Sequence, residues 1–185
     1  MAEETTRSRL LEQASQLIRE DGYQQIPLRK LTALLGVTTG AFYKAFKDKE
    51  ELYYQLYLLE GQRQADRLQT LYLDKVTDPL DGIWHIGYFL LSEYEKNANM
   101  MYFLFFSPVS VKAYRQGVLL AVADKTLAYI KALGVDDKEE QKQLLLKLEV
   151  FIMGYGRLIS KGLEVFDEGF YQSTFNDFLG GYKHV

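Results

Sequence analysis

Ile26-Pro-Leu-Arg-Lys-Leu-Thr-Ala-Leu-Leu-Gly-Val-Thr-Thr-Gly-Ala-Phe-Tyr-Lys-Ala-Phe-Lys-Asp-Lys49 is the stretch around which the rest of the chain is organised. Leu28, Leu31, Leu34 and Leu35 recur at one-face helical spacing and stop at Gly36, a residue suited to the left-handed turn that ends a helix. Thr38 then offers a hydroxyl to cap a second short helix running to about Phe46. In that helix Phe42 and Phe46 share the buried side, which leaves Thr39, Gly40, Tyr43 and Lys44 facing outward. Two short helices joined by a tight glycine turn make a helix-turn-helix. Between Ile26 and Lys47 the charged residues are Arg29, Lys30, Lys44 and Lys47, so the stretch carries +4 in a chain whose total is −3. A local positive field of this kind suits phosphate. The same pattern also fits an ordinary helical hairpin with a solvated outer face, and charge sign alone does not separate the two.

Working outward, the preceding residues predict a helix from about Thr5 to Glu20, with Leu10, Leu11, Ala14, Leu17 and Ile18 on one face and Gly22 as the stop. Its apolar face would cover the two short helices. Pro27 suits the start of the second helix, because its missing N–H would have had no intrahelical partner. After the hairpin, Asp48 and Glu51 have the spacing of a capped helix start, and the pattern Leu52, Leu56, Leu59, Arg63 predicts a long helix to about Leu73. A helix of that length can carry movement from one domain to another.

Taken in order, Thr6-Arg7, Leu10-Leu11-x-x-Ala14-x-x-Leu17-Ile18, Gly22-Tyr23, Arg29-x-Leu31, Leu35-Gly36-Val37-Thr38 and Phe42-Tyr43-x-x-Phe46-x-x-Lys49-Glu50-x-Leu52 resemble the amino-terminal domain of TetR-type bacterial transcriptional regulators. The resemblance implies that Arg29, Thr39, Gly40 and Lys44 contact bases, and that Thr38, Tyr43, Lys49 and Arg7 contact phosphates of a double-stranded DNA operator. Arg29 has the geometry for a bidentate bond to guanine. For Tyr43 a place at the edge of the core, for Lys49 pairing with Glu50 or Asp48, and for Lys44 and Arg7 simple solvation stand as alternatives. The chain departs from the family pattern at Ile26-Pro27, where a hydroxyl residue is usual, and at Ala41 and Ala45 in the recognition helix. A phosphate contact at the start of the second helix would therefore come from backbone N–H groups.

Beyond the hairpin, Asp78-Pro79-x-Asp81 opens a helix that reads apolar nearly all round from Ile83 to Leu91, the mark of a buried helix. A short apolar helix follows over Met100–Phe106, and Ser107-Pro108 or Ser110 opens a longer one ending near Gly134. Asp136-Asp137 with Glu139-Glu140 starts the next, whose apolar set is too wide to face one neighbour and is interrupted by Gly154, Gly156 and Gly162. Close helix approach or room for a ligand would offset those glycines. The last helix, from about Glu168, carries Tyr171, Phe175, Phe178 and Tyr182 as a packing seam. With Leu148, Ile152 and Ile159 these residues are the expected dimer interface, since a two-fold pairing would hold two recognition helices at fixed separation. Trp84, His85, Tyr88, Met101, Phe105, Tyr114, Arg115, Phe151 and Tyr155 compose either a plain aromatic core or an effector pocket; the family resemblance implies the pocket, for an apolar or aromatic small molecule.

The chain therefore reads as all-α, with a helix-turn-helix DNA-binding domain over residues 1–48 and a helical effector-binding and dimerisation domain over 49–185. Without Cys, and with His85 as the one internal His, it offers no disulfide, thiolate site or metal-ligand spacing, and no cofactor is implied. It reads as non-enzymatic. Its acidic, polar start lacks the pattern of a secretory signal, and the longest uncharged run is too short to span a bilayer, so the expected setting is cytoplasmic, without membrane insertion. The expected function is a homodimeric transcriptional repressor released from DNA by an effector. A helical ligand-binding or interaction protein with a structural hairpin is the alternative, favoured by the polar groups missing at Pro27, Ala41 and Ala45.

Overall fold

Thr5 begins the described structure by accepting a hydrogen bond from Ser8 N at 3.2 Å, capping helix α1 (Thr6–Asp21). The computed structural model describes residues 5–113 and 118–182, and every regular element among them is helical. Two compact units emerge, one of residues 1–62 and 99–117, the other of residues 63–98 and 118–185.

In the first unit, α1 packs on α2 (Leu28–Leu34) and α3 (Thr39–Ala45). The predicted apolar face is the one used: Leu10, Ala14, Leu17 and Ile18 of α1 are buried with Leu31, Phe42 and Phe46. Each large side chain in this set stabilises the unit by roughly 1.5–3 kcal/mol relative to exposure. Gly36 turns the chain between α2 and α3 at φ 63°, a conformation that glycine adopts without steric cost. Pro27 is the N-cap of α2, one position outside the helix. The start of α4 (Lys49–Leu71) follows the Asp48/Glu51 signal: Asp48 Oδ1 accepts from Glu51 N at 2.8 Å, and Glu51 Oε2 accepts from Lys47 N at 2.7 Å. At 23 residues, α4 is about 35 Å long. It begins in the first unit and ends in the second.

Two features of this unit were not anticipated from sequence. Glu60, fully buried on α4, accepts from Ser15 Oγ at 2.8 Å and from Arg19 at 2.6 Å, so a charged group closes the α1–α4 contact. Helix α6 (Ala98–Phe106) also belongs here. Its Asn99 donates to the carbonyls of Arg19 and Glu20 at the end of α1, while Tyr102 and Phe103 pack against the ring of Tyr23.

In the second unit, α5 (Pro79–Lys96) packs against α8 (Val118–Ala132), α9 (Lys138–Ser160) and α10 (Glu168–Leu179). That explains its all-round apolar character: three neighbours leave it little solvent-facing surface, and Ile83, Ile86, Phe89, Leu91 and Tyr94 are buried. Asp78, Asp137 and Asp167 cap α5, α9 and α10. The helix expected to run from Ser107 or Ser110 to Gly134 is described as α7 (Pro108–Ala113) and, after residues outside the description, α8. Helix α9 continues through Gly154 and Gly156 and ends before Gly162. At Gly156 the reason is close approach, because a Cβ there would run into the ring of buried Tyr94. Arg67 on α4 makes a two-armed bond to buried Glu93 at 2.8 and 2.9 Å. No described helix is long and apolar enough to cross a membrane.

Candidate nucleic-acid interface

Helix α3 is seven residues long, too short to be stable by itself, so its neighbours must hold it. Thr38 caps it by accepting from Ala41 N at 3.1 Å, which leaves the hydroxyl proton free to donate elsewhere. The rings of Phe42 and Phe46, 5.8 Å apart and buried, fix its rotation. Thr39, Gly40, Tyr43 and Lys44 consequently lie on the open side, as the spacing predicts. Tyr43 is 59% exposed with its ring edge-on to Phe42, so it is a surface residue and not part of the core. Ala41 and Ala45 are half-buried at the margins.

The cations around α3 differ in their engagement. Arg29, Lys44 and Lys47 are exposed, and among the described residues none has a side-chain ion pair. Lys30 pairs with Asp21 at 2.5 Å, which removes one charge from the positive field. Lys49 is half-buried with its Nζ 5.1 Å from the centroid of the Tyr53 ring, and pairs with neither Asp48 nor Glu50. Partial burial strips water from its ammonium and pulls its pKa below the usual lysine range. A phosphate oxygen would restore what that cation lost.

Arg7 is placed differently. Its guanidinium donates to the carbonyl of Ala45, pairs with Glu51 at 3.2 Å and sits with Cζ 4.3 Å from the centroid of Phe46. Glu51 is held below the ordinary carboxylate range, first by the bond from Lys47 N and then by Arg7. With side-chain exposures of 40% and 36%, the pair is screened by water and by itself contributes little to stability.

A left-handed glycine turn, a capped and aromatic-locked second helix and unpaired cations beside it together form a helix-turn-helix domain in an all-helical chain. Residues 10–56 match the family model for bacterial regulatory proteins of the tetR family. Among solved structures, the fatty acid degradation regulator FadR from Bacillus halodurans superposes with a TM-score of 0.71 at 16% identity, with 100% of each chain covered. NalD, the secondary repressor of the MexAB-OprM multidrug efflux pump in Pseudomonas aeruginosa, matches with a TM-score of 0.56 at 19% identity, over 96% of this chain and 93% of that one. The TetR family transcriptional regulator PfmR from Thermus thermophilus matches with a TM-score of 0.53 at 22% identity, over 84% and 99%. No curated protein gives a significant sequence match. The amino-terminal region thus matches the tetR family of bacterial regulatory proteins, and the whole chain shares the fold of the regulators it superposes on.

The residues expected to line an effector pocket are divided. Met101 and Phe105 belong to the first unit, with Met101 buried there; Tyr114 and Arg115 lie outside the described residues. Trp84, His85, Tyr88, Phe151 and Tyr155 do come together in the second unit, in an aromatic cluster around Tyr171. Trp84 stacks on Tyr88 at 4.8 Å, and Tyr171 donates to the Trp84 carbonyl at 2.8 Å. His85 Nδ1 bonds the carbonyl of Asp81 at 2.7 Å, which leaves Nε2 as its remaining acceptor. An apolar cleft of about 200 Å³ lies elsewhere, among α4, α5 and α8. Its walls are Ala65, Leu68, Leu73, Ile86, Ala121 and Val122, and Asp66, Gln69 and Lys125 add polar groups. Sequence reading missed these because aliphatic residues at helical spacing carry no sign of whether they face a neighbour or a gap.

The expected dimer residues are likewise placed mostly inward. Leu148, Ile152, Ile159, Tyr171 and Phe175 are buried within the chain's own core, and Phe178 and Tyr182 are half-buried, the latter donating to Glu140 at 2.6 Å. The apolar surface that remains on α9 is a second stripe, Leu146, Val150 and Leu158, at 58%, 63% and 43% exposure. Beside it a shallow groove of about 320 Å³ is lined by Leu146, Lys147, Val150, Phe151 and Phe178. The steps of four along Leu146-Val150-Gly154-Leu158 were the available signal.

Proposed function

We propose that this chain is a cytoplasmic DNA-binding transcriptional repressor that acts as a homodimer and is released from its operator by a small apolar effector. One observation carries the DNA-binding reading: α3 is locked by Phe42 and Phe46 so that Thr39, Gly40 and Lys44 face out, with Arg29 and Lys47 exposed beside it and, among the described residues, without an ion pair. Residues 1–48 act as the reader, with Arg29, Thr39, Gly40 and Lys44 toward bases and Thr38 and Tyr43 toward phosphates, and Lys49 just after it adds a further phosphate contact. Residues 49–185 supply dimerisation and effector binding. A second copy covers the Leu146–Val150–Leu158 stripe, which puts two readers on successive turns of a palindromic site. The repressor role follows NalD by analogy of fold.

For the effector, the α4/α5/α8 cleft is favoured over the aromatic cluster because the cluster's rings already contact one another. At about 200 Å³ the cleft is smaller than the 300–1,000 Å³ usual for drug-sized ligands, so it takes a small molecule or widens on binding. Widening that is selected by the ligand would shift the population away from the DNA-binding arrangement. No step of catalysis is assigned.

The deciding experiment is selection of duplexes from a random-sequence pool by the purified protein, followed by titration of the selected duplex against salt. A palindromic consensus whose log affinity falls linearly with log salt is expected. Failure to enrich any sequence would overturn the reader role and favour a ligand-binding protein with a structural hairpin.

A further inference from the structure

We propose that Arg7 and Glu51 are positioning residues that clasp the end of the recognition helix, and that Arg7 does not itself bind DNA phosphate; this rests on the DNA-binding reading above. Helix α3 ends with carbonyls that have no partner inside the helix. One guanidinium from the first turn of α1 answers that end at three successive points. It donates to the carbonyl of Ala45, the last residue of α3; it covers the ring of Phe46; and it pairs with Glu51 in the first turn of α4. Glu51 in turn uses its second oxygen to accept from Lys47 N at 2.7 Å, so the link between α3 and α4 is gripped from both sides. The charges suit the backbone they meet, with a cation at the negative end of α3 and a carboxylate at the positive end of α4.

Two consequences follow for Arg7. One donor on each terminal nitrogen and one face of the guanidinium are already engaged, so a phosphate would compete with Glu51 and Ala45 for its orientation, whereas Lys49 and Arg29 have no such hydrogen-bonding partners among the described residues. Where α3 points, and so where Thr39, Gly40 and Lys44 are aimed, depends on Phe42 and Phe46 inside the unit and on this clasp at the surface.

Positioning and phosphate contact have opposite signatures. Removing the negative charge of Glu51 beside a DNA-facing helix would tighten binding if only charge mattered; loosening the clasp weakens it. The test compares the wild-type protein with Arg7→Ala, Arg7→Lys, Glu51→Gln and the Arg7→Ala/Glu51→Gln double variant, on a duplex selected by the wild type and on an unrelated duplex, across a series of salt concentrations. Each single variant is expected to weaken binding to the selected duplex by about tenfold, within the range of coupling between contacting residues, with the double variant no weaker than the weaker single. The preference over the unrelated duplex should fall, while the slope of log affinity against log salt stays at the wild-type value. Arg7→Lys should behave like Arg7→Ala, because an ammonium keeps the charge but cannot span both partners.

A fall of about 0.9 in the salt slope of Arg7→Ala would show a lost phosphate contact and overturn the proposal. So would retained affinity in Arg7→Lys, or unchanged or tighter binding in Glu51→Gln. If the wild type enriches no duplex, the DNA-binding reading fails, and amide exchange still judges the clasp. Faster exchange at Phe46 and Lys47 in Arg7→Ala, with α1 unchanged, supports it, and unaltered exchange there refutes it.

Discussion

Lys49 and Arg29 are both positive, yet their surroundings assign them different work. Lys49 sits half-buried against Tyr53 with part of its hydration removed, which fits a residue that waits for a phosphate. Lys49→Ala is therefore expected to weaken binding to every duplex and to lower the salt slope by about 0.9. Arg29, exposed on α2, can present two donors to one guanine, so Arg29→Ala should cost about 1–3 kcal/mol at particular base pairs and relax preference there. A competition assay with single-base variants of the selected duplex reads the difference. Glu51 supplies a pH dependence. Its carboxyl titrates below the ordinary 4.5, because Lys47 N and Arg7 favour the ionised form. For a group lowered in the folded state the stabilisation is complete above the unfolded value and is lost as pH falls through the folded one. Amide protection at Lys47 should thus persist at pH 4.5 and disappear only below it, and Glu51→Gln should remove that dependence.

At the level of elements, the α5–α9 contact depends on a missing side chain. Gly156 lets the buried Tyr94 ring lie against the α9 backbone, and the gain in packing offsets the roughly 1 kcal/mol that glycine costs within a helix. Gly156→Ala is expected to destabilise the protein by about 1–3 kcal/mol, because the ring is enclosed and the added methyl must displace it. Urea unfolding measures this as a lower midpoint at unchanged m-value. Helix boundaries at α1, α4, α5 and α9 were legible because each carries its own chemical start signal in Thr5, Asp48, Asp78 and Asp137. The allocation of α6 to the first unit was not legible. It rests on Asn99 finding two carbonyls about eighty positions away in sequence, and no local pattern encodes such a pairing.

Across the molecule, α9 carries two apolar stripes with separate fates. Leu144, Leu148, Ile152 and Ile159 enter the core, while Leu146, Val150 and Leu158 remain on the surface. Val150→Glu is expected to shift a dimer to monomer in sedimentation velocity while far-UV circular dichroism stays helical. Leu148→Ala should act in the other way, costing about 2–5 kcal/mol of folding stability through a core cavity. A protein that sediments as a monomer before either change would rule out the dimer.

What the sequence determined by itself is local and periodic: the all-helical class, the caps, the left-handed turn at Gly36 and the outward face of α3, each set by neighbours within a few residues. The resemblance over the first part of the chain added the family. Tertiary structure alone decided which of several equivalent groups is occupied. Arg7 is taken by Ala45 and Glu51, while Arg29 has no side-chain partner among the described residues; Tyr171 is committed to Trp84, while Val150 is left in solvent. Helical spacing assigns a side chain to a face, but whether that face meets a neighbour, a cleft or water depends on chain segments far away in sequence.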